Sequence, residues 1–231
     1  MSIKLIHRLK KLFMDPKSRR HALVGPSNLW RMKQDFQIKF LIENGLLESH
    51  KFLDIGCGTL RGGIPIISYL KKGNYYGVDI RDSVLFEAKK ELLDANLNHK
   101  EPYLILFKDF KDLKITVKLD VIFAFSVLIH FKDDILEKCF DFVGKNISAN
   151  GIFYANVNLC DVDDNANWQG FPVVGRSLDF YKSMADKSNL SIQNLGTLKD
   201  LGHISNVESQ DEQIMLAFKS NKQNHYLNRV F

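Results

Sequence analysis

Phe52-Leu-Asp-Ile-Gly-Cys-Gly-Thr-Leu-Arg-Gly-Gly63 is a short, mostly apolar run that breaks into a cluster of glycines. It reads as a strand, a glycine turn and the start of a helix. Gly56 and Gly58 allow a tight bend and a close approach of backbone to a ligand. In open parallel sheets, ligands bind beyond the carboxyl ends of the strands, where such a turn lies. The dinucleotide fingerprint GxGxxG would place a third glycine at position 61, and this chain has Arg61. A bulky residue there argues against a pyrophosphate resting on the helix start. Asp54 ends this strand, and Asp79 ends the next one, 23 residues after Gly56. An acid so placed can accept both hydroxyls of a ribose.

Outward from this stretch, apolar bursts alternate with helical patterns. The strands are expected at Phe52–Ile55, Tyr75–Ile80, Tyr103–Phe107, Leu119–Phe125 and Ile152–Val157. Near-continuous apolar runs mark strands covered on both faces. Helices are expected over Ile64–Lys72, over Val84–Ala95 with Asp82 or Ser83 as cap, and over Ile135–Asn146 opened by Asp133 or Asp134. The alternation means βαβ units and a parallel sheet. Beyond the fifth strand, a polar Asp/Asn-rich stretch over Asp161–Gly170 leads to a helix at Leu178–Ser188. Two further strands follow, Leu190–Leu195 and Gln213–Lys219.

At 231 residues the chain suits one domain. Its expected organisation is a basic amphipathic extension (1–26), a catalytic domain (27–220) and a tail (221–231). The net charge of +5 is uneven: residues 1–40 hold ten Lys or Arg against two Asp or Glu, and the remainder 22 against 25. The basic character is therefore N-terminal. Cys57, Cys139 and Cys160 form no CxxC pair, which fits reduced thiols in a cytosolic protein. The longest apolar run, Val121–Phe131, is about half of the roughly 20 residues a spanning helix needs. A cytoplasmic protein is expected.

The Asp-x-Gly-x-Gly turn together with Asp79 resembles the class I S-adenosylmethionine-dependent methyltransferase family, over residues 28–220. The resemblance implies an α/β Rossmann-like fold with helices on both faces. Its seven-stranded, mostly parallel sheet would run 3-2-1-4-5-7-6, with strand seven antiparallel. It implies S-adenosyl-L-methionine as cofactor and S-adenosyl-L-homocysteine as product. Asp54 and the Gly56-Cys57-Gly58 backbone would face the methionine part, Asp79 and the neighbouring Ile80 the nucleoside. Asp109 would accept the adenine amine and Phe110 cover the ring. Phe125 and Ser126 would form the turn beneath the cofactor. Arg61 either pairs with the cofactor's carboxylate or braces the turn through backbone carbonyls. The phrase from Gly56 to Gly63, with Trp168-Gln-Gly-Phe-Pro172 and Arg176-Ser-Leu-Asp-Phe-Tyr181, is similar to a bacterial subgroup often encoded near surface-polysaccharide genes.

In methyl transfer the cofactor brings the reactivity, and the protein positions the partners and manages charge. A hydroxyl acceptor gains from a base, worth roughly 10² to 10⁴ in rate. Two histidines are candidates: His130, just beyond strand four, and His203, in a loop expected to return to the same sheet edge. Each could instead brace its own segment. Tyr154, Asn156 and Asn158 alternate along strand five and share one face. Tyr154, Asn156, Trp168 and Arg176 are the candidate acceptor-binding residues. Asp161, Asp163 and Asn165 imitate half a calcium loop, but Ala166 and Pro172 stand where its glycine and bidentate acid belong. A metal-independent enzyme is expected.

Ile3, Leu5, Ile6, Leu9, Leu12 and Phe13 with their basic neighbours suggest a short amphipathic helix. It would pack on its own domain or rest on the inner face of a membrane. The helix around Trp30–Gln37, with Lys33, Gln34 and Phe36, would cover the cofactor. The leading expectation is O-methylation of a small molecule such as a sugar or a phosphorylated surface-polysaccharide precursor. RNA methylation is the alternative, although the Asn/Asp-Pro-Pro-aromatic signature of base amino-methyltransferases is missing after strand four. A non-catalytic cofactor-binding subunit is the third reading.

Overall fold

In the computed structural model, residues 14–160, 165–168 and 170–221 are described. Strand β1 (Phe52–Ile55) is buried at every position because it lies mid-sheet. It pairs in parallel with β2 (Tyr75–Asp79) on one side and β4 (Leu119–Ala124) on the other. β2 continues to β3 (Tyr103–Leu106), the edge, and β4 to β5 (Ile147–Leu159), all parallel. β9 (Ile214–Ser220) runs antiparallel between β5 and β8 (Leu190–Thr197). The order β3-β2-β1-β4-β5-β9-β8 is the expected 3-2-1-4-5-7-6, with the seventh strand of that scheme antiparallel.

Side-chain alternation along the central strands feeds two apolar layers. Val121 and Phe123 of β4 point to one face, Ile122 and Ala124 to the other. The first layer takes α2 (Trp30–Glu43), α3 (Gly63–Tyr69) and α4 (Asp82–Asp94), through residues such as Phe40, Ile66 and Leu85. The second takes α5 (Asp133–Asn146) and α6 (Leu178–Lys187), through Phe140, Val143 and Tyr181. Neither expected acidic cap forms. Arg81 and Lys132 occupy the cap positions without side-chain hydrogen bonds, and Asp82, Asp133 and Asp134 fall in the first turns, where they favour the positive helix end.

Two features depart from the sequence reading. The stretch expected to be a polar loop contributes β6 (Asn165–Trp168), which forms a hairpin with β7 (Phe171–Arg176). The turn between them holds Gly170 at φ +91°, and the Gly170 N–H donates to Asn167 Oδ1 at 3.0 Å. β7 then pairs with the carboxyl end of β5, Asn158 opposite Gly175. The Asp/Asn-rich composition hid strands this short. Second, residues 14–26, expected in the N-terminal extension, pack against the domain. Asp15 caps α1 (Pro16–His21) by accepting from Ser18 N–H at 3.0 Å. The buried Arg20 pairs through Nε with Glu91 Oε2 at 2.6 Å and also meets Asp94. His21 stacks on Trp30 with ring centroids 3.4 Å apart. The amphipathic stretch Ile3–Phe13 and the tail 222–231 lie outside the described residues.

Candidate functional site

The carboxyl ends of β1, β2, β4 and β5 open onto a cavity of about 770 Å³. Its floor is the glycine turn. The Gly56 and Cys57 N–H groups donate to Val78 O at 2.8 and 3.0 Å, which ties the turn to β2. Gly56 and Gly58 hold φ of +70° and +57°, conformations that L side chains rarely adopt. A Cβ on Gly58 would stand 2.7 Å from Val24 Cγ1, and one on Gly56 2.5 Å from Val127 Cγ2. The turn therefore admits only glycine at both places. Cys57 is buried, and burial pushes its thiol pKa well up, so it contributes backbone and not a nucleophile.

Charged groups surround this floor. Asp54 is buried and accepts from Tyr75 Oη at 2.7 Å. Burial raises its pKa to about 7, and the Asp79 charge adds to that rise. Asp79 accepts from Gly58 N–H at 3.1 Å through Oδ2, and from Arg81 N–H at 2.9 Å through Oδ1; the Arg81 Nε contact is longer, 3.3 Å. A carboxylate offers about four lone-pair directions, so Asp79 retains accepting capacity toward the cavity. Arg61 donates through Nη1 to Val24 O at 2.9 Å, and its Nε is buried without a partner. Its own carbonyl accepts from Gln34 Nε2 at 2.9 Å. The bracing role of Arg61 is thus present, while its unpaired Nε and its place on the cavity wall keep a ligand contact open. Lys33 of α2 reaches the same wall, largely buried, with Nζ unpartnered among the described residues. Burial lowers its pKa to about 7, assisted by the Arg61 charge and opposed by Asp211.

The opposite wall of this floor is apolar with one acid. Phe110 packs against Phe107, Phe131 and Phe142, with ring centroids within 5.9 Å. Asp109 accepts from Lys111 N–H at 3.0 Å and from Lys138 Nζ at 2.5 Å; these hold its pKa below the usual carboxylate value. Ile80 is half exposed and lines the cavity. Phe125 packs on Phe36 and Phe123 beneath, and Ser126 follows at φ +58°.

The hairpin β6–β7 roofs the far end. There Nδ1 of His130 lies 2.7 Å from Pro172 O, and its ring stacks on Trp168 at 5.5 Å and tilts against Phe171 at 5.9 Å. A carbonyl only accepts, so Nδ1 carries the proton and Nε2 keeps its lone pair. Burial, with the Arg81 charge, holds the His130 pKa below its ordinary value despite that carbonyl. Arg81 itself sits 5.7 Å from the Phe171 ring centroid.

Four expected site residues lie elsewhere. His203 does not close over the cavity: it is fully buried between Phe36 and Phe125, with Nδ1 2.8 Å from Asp211 Oδ1. Tyr154 faces α2, packs edge-on against Phe40, and donates to Asn44 O at 3.3 Å. Arg176 is consumed by Asp133 and Phe131 O, so it braces the start of α5. Asn156 is buried beneath the turn after β4 and accepts from Ser126 N–H at 2.6 Å. Of the expected acceptor-binding residues, only Trp168 lines the cavity. The sequence reading did not single out Arg81, Phe171 or Gln213, all of which line it. Arg81 had a usable signal, two residues past the strand-ending Asp79.

The family model described as a methyltransferase domain matches residues 53–153, from β1 into β5. No curated protein matches the sequence. Solved structures do. An S-adenosylmethionine-dependent methyltransferase from Clostridium acetobutylicum ATCC 824 is 18% identical, covering 94% of this chain and 98% of that one, with a TM-score of 0.61. Magnesium protoporphyrin IX methyltransferase from Synechocystis PCC 6803, solved with S-adenosylmethionine bound, is 16% identical over 95% and 98%, TM-score 0.64. The glycopeptide N-methyltransferase MtfA, complexed with the same cofactor, is 11% identical over 81% and 93%, TM-score 0.62. At such identities the likeness speaks for the fold.

Proposed function

We propose, from the premise that this chain has the class I methyltransferase fold and carries a methyltransferase domain, that it transfers a methyl group from S-adenosyl-L-methionine to a hydroxyl of a small molecule. The glycine turn, Asp79 and the apolar wall suit a nucleoside with an amino-acid tail. Asp54 would hold the tail's ammonium, Lys33 and Arg61 its carboxylate, and Asp79 its ribose diol. Asp109, Phe110 and Ile80 would hold adenine, and Phe125 and Ser126 the turn beneath it. The bound cofactor supplies an electrophilic methyl group on a cationic sulfur.

One observation carries the acceptor chemistry: His130 is locked as its Nδ1–H tautomer and kept neutral by burial. Nε2 has no partner among the described residues and is the accepting atom of a residue on the cavity wall. His130 Nε2 would take the proton of the acceptor hydroxyl, while the methyl group passes from the cofactor's sulfur to that oxygen and S-adenosylhomocysteine leaves as the neutral thioether. Trp168 and Phe171 would cover the face of a ring. The acceptor class is a sugar or a phosphorylated surface-polysaccharide precursor. Six lining cations (Lys33, Arg61, Arg81, Lys108, Lys132 and Lys138) outnumber three lining acids (Asp54, Asp79 and Asp109), which favours an anionic molecule.

A cytoplasmic setting accords with this cofactor, and among the described residues no helix is long and apolar enough to cross a membrane. A screen for S-adenosylhomocysteine release over nucleotide sugars, phosphorylated small molecules and RNA tests the reading. Turnover on RNA alone would replace it with macromolecule methylation. Tight cofactor binding without turnover on any acceptor would leave a binding subunit.

A further inference from the structure

Beneath the acceptor end of the cavity, three side-chain amides form a chain. The Ser126 N–H donates to Asn156 Oδ1 at 2.6 Å; Asn156 Nδ2 donates to Gln213 Oε1 at 2.6 Å; Gln213 Nε2 donates to Asn158 Oδ1 at 3.0 Å. A backbone N–H can only donate, so the first link fixes the orientation of every amide after it. The chain therefore ends with Asn158 presenting Nδ2 and its two hydrogens. That nitrogen has no partner among the described residues, and Asn158 lines the cavity. Asn156 and Gln213 are almost entirely buried, so the orientation is held by groups that solvent cannot exchange.

We propose that Asn158 Nδ2 donates a hydrogen bond to the methyl acceptor, and that the acceptor therefore carries a second oxygen next to the hydroxyl facing His130. A hydroxy-carboxylate and the vicinal diol of a sugar share this pattern. The inference rests on the methyltransferase reading and refines its acceptor. His130 and Asn158 both line this cavity, Nε2 there to accept and Nδ2 to donate, and Trp168 and Phe171 line it beside the His130 ring. An acceptor with a lone hydroxyl would leave Nδ2 unpaired when it displaced water, which buried sites penalise.

The test uses the full chain saturated with S-adenosylhomocysteine, and 2-hydroxybenzoate against phenol and methyl glucoside against cyclohexanol as paired probes, read by saturation-transfer NMR. At least one oxygen-flanked probe should bind about tenfold tighter than its control, the size of a hydrogen bond to a partly buried donor. Asn158→Asp keeps the oxygen that Gln213 needs and removes the donor, so the preference should vanish with S-adenosylhomocysteine affinity unchanged. Gln213→Glu sets an accepting oxygen against Asn158 Oδ1, so the amide turns its Nδ2 to the carboxylate and Oδ1 to the cavity, and the preference should be lost here too. Thermal midpoints establish that both variants fold. Absence of preference in the wild type, or its persistence in Asn158→Asp, overturns the proposal. Calorimetry with S-adenosylhomocysteine separates the levels: no binding to the wild type sinks the methyltransferase reading as well, whereas binding without probe preference sinks this inference alone.

Discussion

The two ends of the cavity are built by opposite strategies. At the cofactor end, Asp54, Gly56, Cys57, Gly58 and Arg61 lie within eight residues of one strand and its turn, and Asp79 ends the adjacent strand. Their geometry follows from local rules: two positive-φ glycines, one backbone-to-carboxylate bond, one strand register. At the acceptor end, His130 is positioned by the carbonyl of Pro172, 42 residues away, and Asn158 by Gln213, 55 residues away. A short motif can specify a turn; a chamber assembled from separate segments needs the whole sheet to be in place.

Breaking the local end should cost up to about a hundredfold, as should breaking the assembled end. Gly58→Val puts a branched side chain where Val24 stands 2.7 Å away, at a φ of +57°. Affinity for S-adenosylhomocysteine should fall about tenfold to a hundredfold by calorimetry, the scale of one strained backbone position. Next is the assembled end: His130→Ala should lower turnover roughly 10²-fold while cofactor affinity stays within a few-fold. An equal loss of cofactor affinity would place His130 in the wrong half. His203→Ala sharpens the contrast. It should cost about 1–3 kcal/mol in thermal or urea unfolding, because Asp211 loses a buried partner, and leave turnover per folded molecule near wild type.

The smallest effects lie in pH. Asp54, raised by burial, must be ionised to hold an ammonium, so cofactor affinity falls as pH drops through about 7. Lys33, lowered by burial, must be protonated to hold a carboxylate, so affinity falls as pH rises through about 7. Calorimetry across pH 6–8, about one unit either side, should give a bell that Asp54→Asn flattens on its acid limb and Lys33→Met on its alkaline limb. At the other end, a lowered His130 pKa moves the acid limb of kcat/KM below the ordinary histidine value of about 6.5.

This difference between the ends also explains what the sequence disclosed. The strand order and the glycine turn were legible because apolar runs and glycines act over a few residues. The far end was not. Alternation along β5 groups Tyr154, Asn156 and Asn158 on one side but says nothing of height. β5 runs to Leu159, so Asn158 reaches the rim while Tyr154 stays beside α2. Arg176 was a candidate for acceptor binding because its partner Asp133, 43 residues distant, is invisible to local spacing. His203 sits in a glycine-containing loop, the usual mark of exposure, yet its ring fills a gap between two phenylalanines contributed by α2 and the end of β4. The hairpin was obscured by composition, and with it the carbonyl that orients His130.

The chain contains two tryptophans, one beside the N-terminal segment and one on the hairpin that lines the cavity. Trp30 lies flat on His21 at 3.4 Å, next to the segment whose Leu23 and Val24 carbonyls accept from Arg81 and Arg61. Trp168 rides on the hairpin above His130. Intrinsic emission therefore offers a built-in pair of optical reporters, separable by replacing either indole with phenylalanine. The first would report on the packing of the N-terminal segment, the second on what comes to lie against the hairpin.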